Sequence, residues 1–190
     1  NSLYQNDTRV GVPKLFVAPQ VLASETPGEA LSAATPVHRA SSFNNNITHS
    51  SGEMYCVEGT ATDFAVLYPD DGYLVHANHY LHPRLMKYET AFGENGVHAI
   101  TGASSTVVRY HRALRLIRAQ LGEITKESLM EVMNDHVNRP GSICRHVKKD
   151  DPPHERCKTT FAVVLDPVKQ KMHVCLGNPC EGEFKEHSLR

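Results

Sequence analysis

An α+β fold with antiparallel sheet is what this sequence predicts, and three observations carry it. Short apolar runs separated by tight turns fill the middle of the chain, two stretches at helical spacing follow, and a further pair of apolar runs closes it. Strands grouped with strands and helices with helices belong to layered α+β domains rather than to alternating βα units. At 190 residues the chain is expected to form a single domain, 1–190, with a core of its own.

Val12 to Leu22 is apolar at helical spacing, but Pro19 removes a backbone donor and crowds the preceding turn, so a short broken helix is expected. Thr26-Pro27-Gly28-Glu29 then sets a hydroxyl at the N-cap, a proline at the first helical position and a glutamate three residues after the cap. This is the capping-box arrangement, and it opens a second helix through Ala34. Strands follow at Ser42 to Thr48, Glu53 to Glu58, Phe64 to Tyr68 and Tyr73 to His76. Ser51-Gly52 and Asp70-Asp71-Gly72 separate three of them closely enough for hairpins.

Between Leu85 and Gly102 there is no periodicity, and a loop of that length is expected to cover a site. Ser104-Ser105 opens a helix to about Leu121, with Tyr110, Leu114, Ile117 and Leu121 on one stripe and Arg109, Arg112, Arg115 and Arg118 on another. Gly122 suits its C-terminal cap. Thr125 caps a further helix with Leu129, Val132 and Met133 inward, ending before Pro140-Gly141. Thr159 to Asp166 and Lys171 to Leu176 read as a hairpin turned at Asp166-Pro167.

Composition excludes several functions. A formal charge of -1 with balanced acidic and basic counts gives no electrostatic reason to expect nucleic acid or an anionic membrane as partner. No apolar run approaches the roughly 20 residues that span a bilayer. Five cysteines at irregular spacing and without a CxxC pair argue against a disulfide framework and give little support to a structural zinc site, so a reducing, cytoplasmic setting is expected. The terminal Ser188-Leu189-Arg190 does not match the peroxisomal Ser-Lys-Leu signal. Asn1-Ser2-Leu3-Tyr4 reads like the interior of a folded unit, so a preceding segment is expected.

Chemistry concentrates at Val75 to Pro83, where an apolar strand breaks into His76, Asn78, His79 and His82. Strand tips on a rigid scaffold are where sheets offer groups to ligands. Three histidines at every third residue also suggest a metal site with a cysteine, but a strand alternates faces and cannot aim all three one way without a bend. Arg109 and Arg112, one helical turn apart, fit a solvated basic face as readily as a binding site. Arg145 and Arg156 lie beside apolar stretches, where a guanidinium holds a carboxylate or anchors a loop. Spacing alone leaves these alternatives open.

The order of His76-Ala77-Asn78-His79, Arg109-Tyr110-His111-Arg112, Ser142-Ile143-Cys144-Arg145 and Arg156 followed by Thr160 to Asp166 resembles the acyl-coenzyme A:6-aminopenicillanic acid acyltransferase family. Asn1-Ser2-Leu3, Gly11-Val12-Pro13 and Ala40-Ser41-Ser42-Phe43 extend the likeness over nearly the whole chain. The resemblance implies an N-terminal nucleophile hydrolase fold, an αββα sandwich of two antiparallel sheets between helix layers. This chain would be its C-terminal, β-subunit-like portion.

The resemblance also implies amide cleavage or acyl transfer through a cysteinyl acyl-enzyme, with a small N-acyl amine as substrate and no cofactor or metal. The nucleophile would be a cysteine exposed at an amino terminus by self-cleavage, its own amine acting as base. None of the five cysteines stands at an amino terminus, so the nucleophile is expected on a segment or subunit of the same precursor upstream of residue 1. Asn78 would donate to the oxyanion, since a side-chain amide donates without titrating. Arg109 and Arg156 would complete the catalytic set, while Arg145, His79 and Arg112 would contact substrate. Gly59-Thr60 follows Glu58 where the penicillin-forming enzymes carry a serine, which counts against a penicillin-like substrate; by resemblance, the family's β-alanyl-amine hydrolases fit as well as its β-lactam acyltransferases. Two other readings stand beside this one: a metal-binding protein, and a non-catalytic ligand-binding domain.

Overall fold

The structure is a computed structural model that describes residues 3, 5–36, 38–69, 71–90 and 103–189. It is mixed α+β, with two three-stranded antiparallel sheets and helices. The chain divides into two compact units, Asn1–Ala103 and Ser104–Arg190.

In the first unit, α1 (Lys14–Leu22) runs on through Pro19 rather than breaking there. The proline forfeits one backbone bond, to the carbonyl of Leu15, and Leu15 is 83% exposed, so water replaces the missing partner at small cost. Helix α2 (Pro27–Ala34) opens on the expected capping box, with Glu29 N–H donating to Thr26 Oγ1 at 3.2 Å and Thr26 N–H to Glu29 Oε2 at 3.3 Å. Strands β1 (Phe43–Thr48), β2 (Met54–Gly59) and β3 (Phe64–Leu67) pair in sequence order as a meander.

Alternation gives this sheet two different faces. Ile47 and Val57 turn toward Ala30 and Ala34 of α2, with Val21, Leu31, Tyr55 and Val66 packed around them. The opposite face carries Asn44, Cys56 and Glu58, with Asn44 and Glu58 directly paired across the strands. Beside it Ala65 packs with Leu3, Tyr80 and Leu85.

Tyr73 to His76 forms no strand, contrary to expectation. At its end the His76 ring bonds to Glu58 Oε1 and Ala77 O in place of a strand ladder. Past it, Pro83–Tyr88 is a 3₁₀ turn. The rest of the expected covering loop, from 91 to 102, lies outside the described residues.

In the second unit, α3 (Ala103–Arg118) and α4 (Lys126–Met133) are joined by a turn in which Gly122 takes φ 87°. Ser128 N–H donates to Thr125 Oγ1 at 3.1 Å and Thr125 N–H to Ser128 Oγ at 3.0 Å, so the Thr125 cap is reciprocal. Strands β4 (Phe161–Asp166) and β5 (Lys171–Leu176) form the expected hairpin, and β6 (Lys185–Ser188) adds a third strand that sequence reasoning missed. All four β6 residues are exposed, so the strand has no apolar alternation to betray it.

Among the described residues, no helix is long and apolar enough to cross a membrane.

Candidate active site

Glu58 is fully buried in the middle of the first sheet, where a carboxylate is costly unless hydrogen-bonded on all sides. His76 Nε2 meets Glu58 Oε1 at 2.7 Å, Leu81 N–H donates to the same oxygen at 2.7 Å, and His82 N–H donates to Oε2 at 2.9 Å. The carboxylate therefore grips both ends of the 76–82 segment and forces a bend between them. Asn78 and His79 stand at that bend, Asn78 half-buried and His79 8% exposed.

Further anchors stiffen the loop. Tyr80 N–H donates to Glu89 Oε2 at 2.9 Å, and the fully buried Tyr80 hydroxyl reaches Gly59 O at 3.3 Å. His76 Nδ1 lies 2.7 Å from Ala77 O, so both ring nitrogens face acceptors. These bonds to His76, Tyr80, Leu81 and His82 hold the backbone of the loop that carries Asn78.

Below the loop, Asn44 Nδ2 donates to Cys56 Sγ at 2.8 Å. Burial, reinforced by the charge of Glu58, pushes the Cys56 thiol up to about 12. Cys56 is thus protonated near neutrality and unsuited to act as a nucleophile.

The three histidines of this stretch do not share a centre. His76 is committed to Glu58 and Ala77, and His82 Nδ1 accepts from Arg84 N–H at 3.3 Å as the cap of the 3₁₀ turn. Among the described residues they belong to no common ligand set.

The arginines lie in the second unit. Arg109 and Arg112 are on α3, both half-buried. Arg112 Nε and Nη2 both donate to Asp135 Oδ2, at 2.8 and 2.6 Å. Arg145 is held through its main chain: its N–H donates to Thr159 Oγ1 at 2.9 Å, and its carbonyl accepts from Thr159 N–H at 2.9 Å and from Asn178 Nδ2 at 2.7 Å. Arg156 is exposed and donates to the carbonyls of Asp151 at 3.0 Å and Lys149 at 3.3 Å, anchoring that loop. Asn78 and His79 therefore share one loop, and the four arginines are spread over α3 and two loops of the other unit.

Two residues that matter here escaped sequence reasoning. Glu58 ends the apolar run Met54-Tyr55-Cys56-Val57, and a carboxylate in line with a strand is a detectable signal for a buried polar hub. Asp135 has no such signal, because a short acidic residue after a helix is ordinary. No significant match to a curated protein is found. The family model of acyl-coenzyme A:6-aminopenicillanic acid acyl-transferase matches residues 1–181, and with nearly the whole chain covered the protein belongs to that family of acyltransferases and hydrolases.

Proposed function

We propose that this chain is the oxyanion-bearing portion of an N-terminal nucleophile amidohydrolase or acyltransferase that acts on a small N-acyl amine, such as a β-alanyl amine. The observation that carries the reading is the loop clamped by Glu58, with Asn78 at its bend, in a chain of this family.

In the proposed reaction a cysteine thiolate attacks the amide carbonyl and the oxygen gains negative charge. Asn78 Nδ2 donates to that oxygen, the thiol proton passes through the nucleophile's own amine to the leaving amine, and a thioester remains. Water or a second amine then takes the acyl group. Arg109 and Arg156 are assigned to the catalytic set, and Arg145, His79 and Arg112 to substrate contacts, by the family's pattern.

The nucleophile is proposed to be a cysteine on a segment of the same precursor ahead of residue 1, both compact units forming one C-terminal portion of an αββα sandwich. The five cysteines are all free thiols, which supports a reducing, cytoplasmic setting.

The test is Asn78→Ala in the full precursor, assayed on β-alanyl and other N-acyl amines. Loss of one oxyanion donor should lower kcat by roughly a hundredfold or more, with an unchanged melting temperature. Unchanged turnover would remove Asn78 from the mechanism. Amino-terminal sequencing of the matured subunits should begin one of them at cysteine.

A further inference from the structure

Four side chains from three places in the sequence of the second unit converge. His136 and His146 bring their Nε2 atoms to 3.0 Å, and Cys144 and Cys180 bring their Sγ atoms to 3.4 Å. His146 Nε2 lies 3.6 Å from Cys144 Sγ and 3.4 Å from Cys180 Sγ. All four ligand atoms fall within 4.8 Å of one another.

We infer that His136, Cys144, His146 and Cys180 form a tetrahedral site for a zinc-like divalent cation. Bonds of about 2.3 Å to sulfur and about 2.05 Å to nitrogen give tetrahedral edges of about 3.8 Å between sulfurs, about 3.3 Å between nitrogens and about 3.5 Å for mixed pairs. Four of the six edges lie within a few tenths of an ångström of these values, and the two from His136 to the sulfurs are within 4.8 Å. Binding releases one proton from each thiol, so a dication and two thiolates leave the centre neutral, which suits a site whose Cys144 is buried.

The surroundings repeat the pattern found behind metal ligands. His146 Nδ1 faces Glu181 Oε1 at 3.7 Å, which favours the tautomer with the Nε2 lone pair toward the centre. Asn178 Nδ2 lies 3.4 Å from Cys144 Sγ and also donates to Arg145 O. Asp135 O accepts from Cys144 N–H at 3.0 Å, so the ion pair of Asp135 with Arg112 fixes the segment that presents two ligands.

A disulfide between Cys144 and Cys180 is the competing chemistry. It would need the sulfurs to close to about 2.05 Å, and it would leave unexplained why two imidazoles aim at the same point. Four protein ligands leave no open position, so the cation would be structural, tying the turn after α4 to residues 144–146 and to the turn after β5. This inference is independent of the acyl-transfer reading.

The test is elemental analysis of the full-length protein, purified without an affinity tag and loaded with zinc, together with cobalt(II) substitution. The expected result is about one metal per chain and a cobalt spectrum with thiolate charge transfer and intense tetrahedral bands. Cys180→Ser, at an exposed position, should lose the metal, whereas Cys157→Ser, outside the cluster, should keep it. Wild-type protein that takes up no stoichiometric metal, cobalt without thiolate charge transfer, or a Cys144–Cys180 disulfide in peptide maps of reductant-purified protein would overturn the site.

Discussion

Glu58 shows how one buried acid shapes a loop. Its two oxygens accept three hydrogen bonds from residues 76, 81 and 82, so the acid is satisfied only while the loop keeps its bend. Glu58→Gln keeps the volume but turns an amide N–H₂ toward at least one of these donors. Leaving a buried donor unsatisfied costs about 1–3 kcal/mol, and the same loss of grip should loosen Asn78. The expected outcome is a lower denaturation midpoint together with a fall in kcat larger than any change in KM. A variant that loses stability but keeps kcat would separate Glu58 from the placement of Asn78. The polar break from Val75 to Pro83 that carries Asn78 was legible in the sequence, because histidines and an amide at the end of an apolar run stand out. The bend that presents it was not, because it depends on a carboxylate 20 residues earlier in the chain. The convergence of Cys144 with Cys180 was hidden for the same reason, since 36 residues separate two thiols that no CxxC spacing announces.

At the scale of elements, local chemistry was the readable part. The cap at Thr26, the cap at Thr125, the β1–β3 meander and the β4–β5 hairpin all follow from turn residues and alternation within short windows. The failures were elements decided from outside. Tyr73 to His76 has strand-like residues but is docked by Glu58, and β6 has no apolar face and exists by pairing with β5. The amino-terminal stretch is another element without a signal of its own. Asp7 pins it to the turn between β2 and β3, accepting from Ala61 N–H at 3.2 Å, Thr62 N–H at 3.0 Å and Thr62 Oγ1 at 2.6 Å. Burial raises the Asp7 carboxyl, but the bonds from Thr62, Thr60 and the two backbone N–H groups outweigh it and hold it below its ordinary 3.8. A depressed carboxyl contributes stability that is fully present above its unfolded value and fades as pH falls through its folded one. Asp7→Asn should therefore lower the melting temperature at pH 7, and the gap to wild type should shrink as pH drops below 3.8. A gap independent of pH would mean the charge of Asp7 contributes nothing.

At the scale of the molecule, the second sheet has an apolar face that its own unit leaves open. Phe161 pairs directly with Leu176, and alternation puts Leu165 on the same side. These residues are 60%, 79% and 51% exposed, an apolar face of the kind that marks an interaction surface. The proposed αββα sandwich would account for it, since sheets in that fold pack face to face and need both inner faces apolar. The two alternatives differ in what Leu176→Lys would do to the matured full-length enzyme. On a solvent-facing strand the change should stay within about 0.5 kcal/mol. On a face covered by another layer it should cost at least the about 1.5–3 kcal/mol of a buried leucine, with the desolvated ammonium adding to that. The proposed fold predicts the larger loss, read as a lowered urea midpoint of the matured enzyme with no change in slope. A midpoint within error of wild type would leave the face open to water in the assembled protein, and the sandwich reading would fall with it.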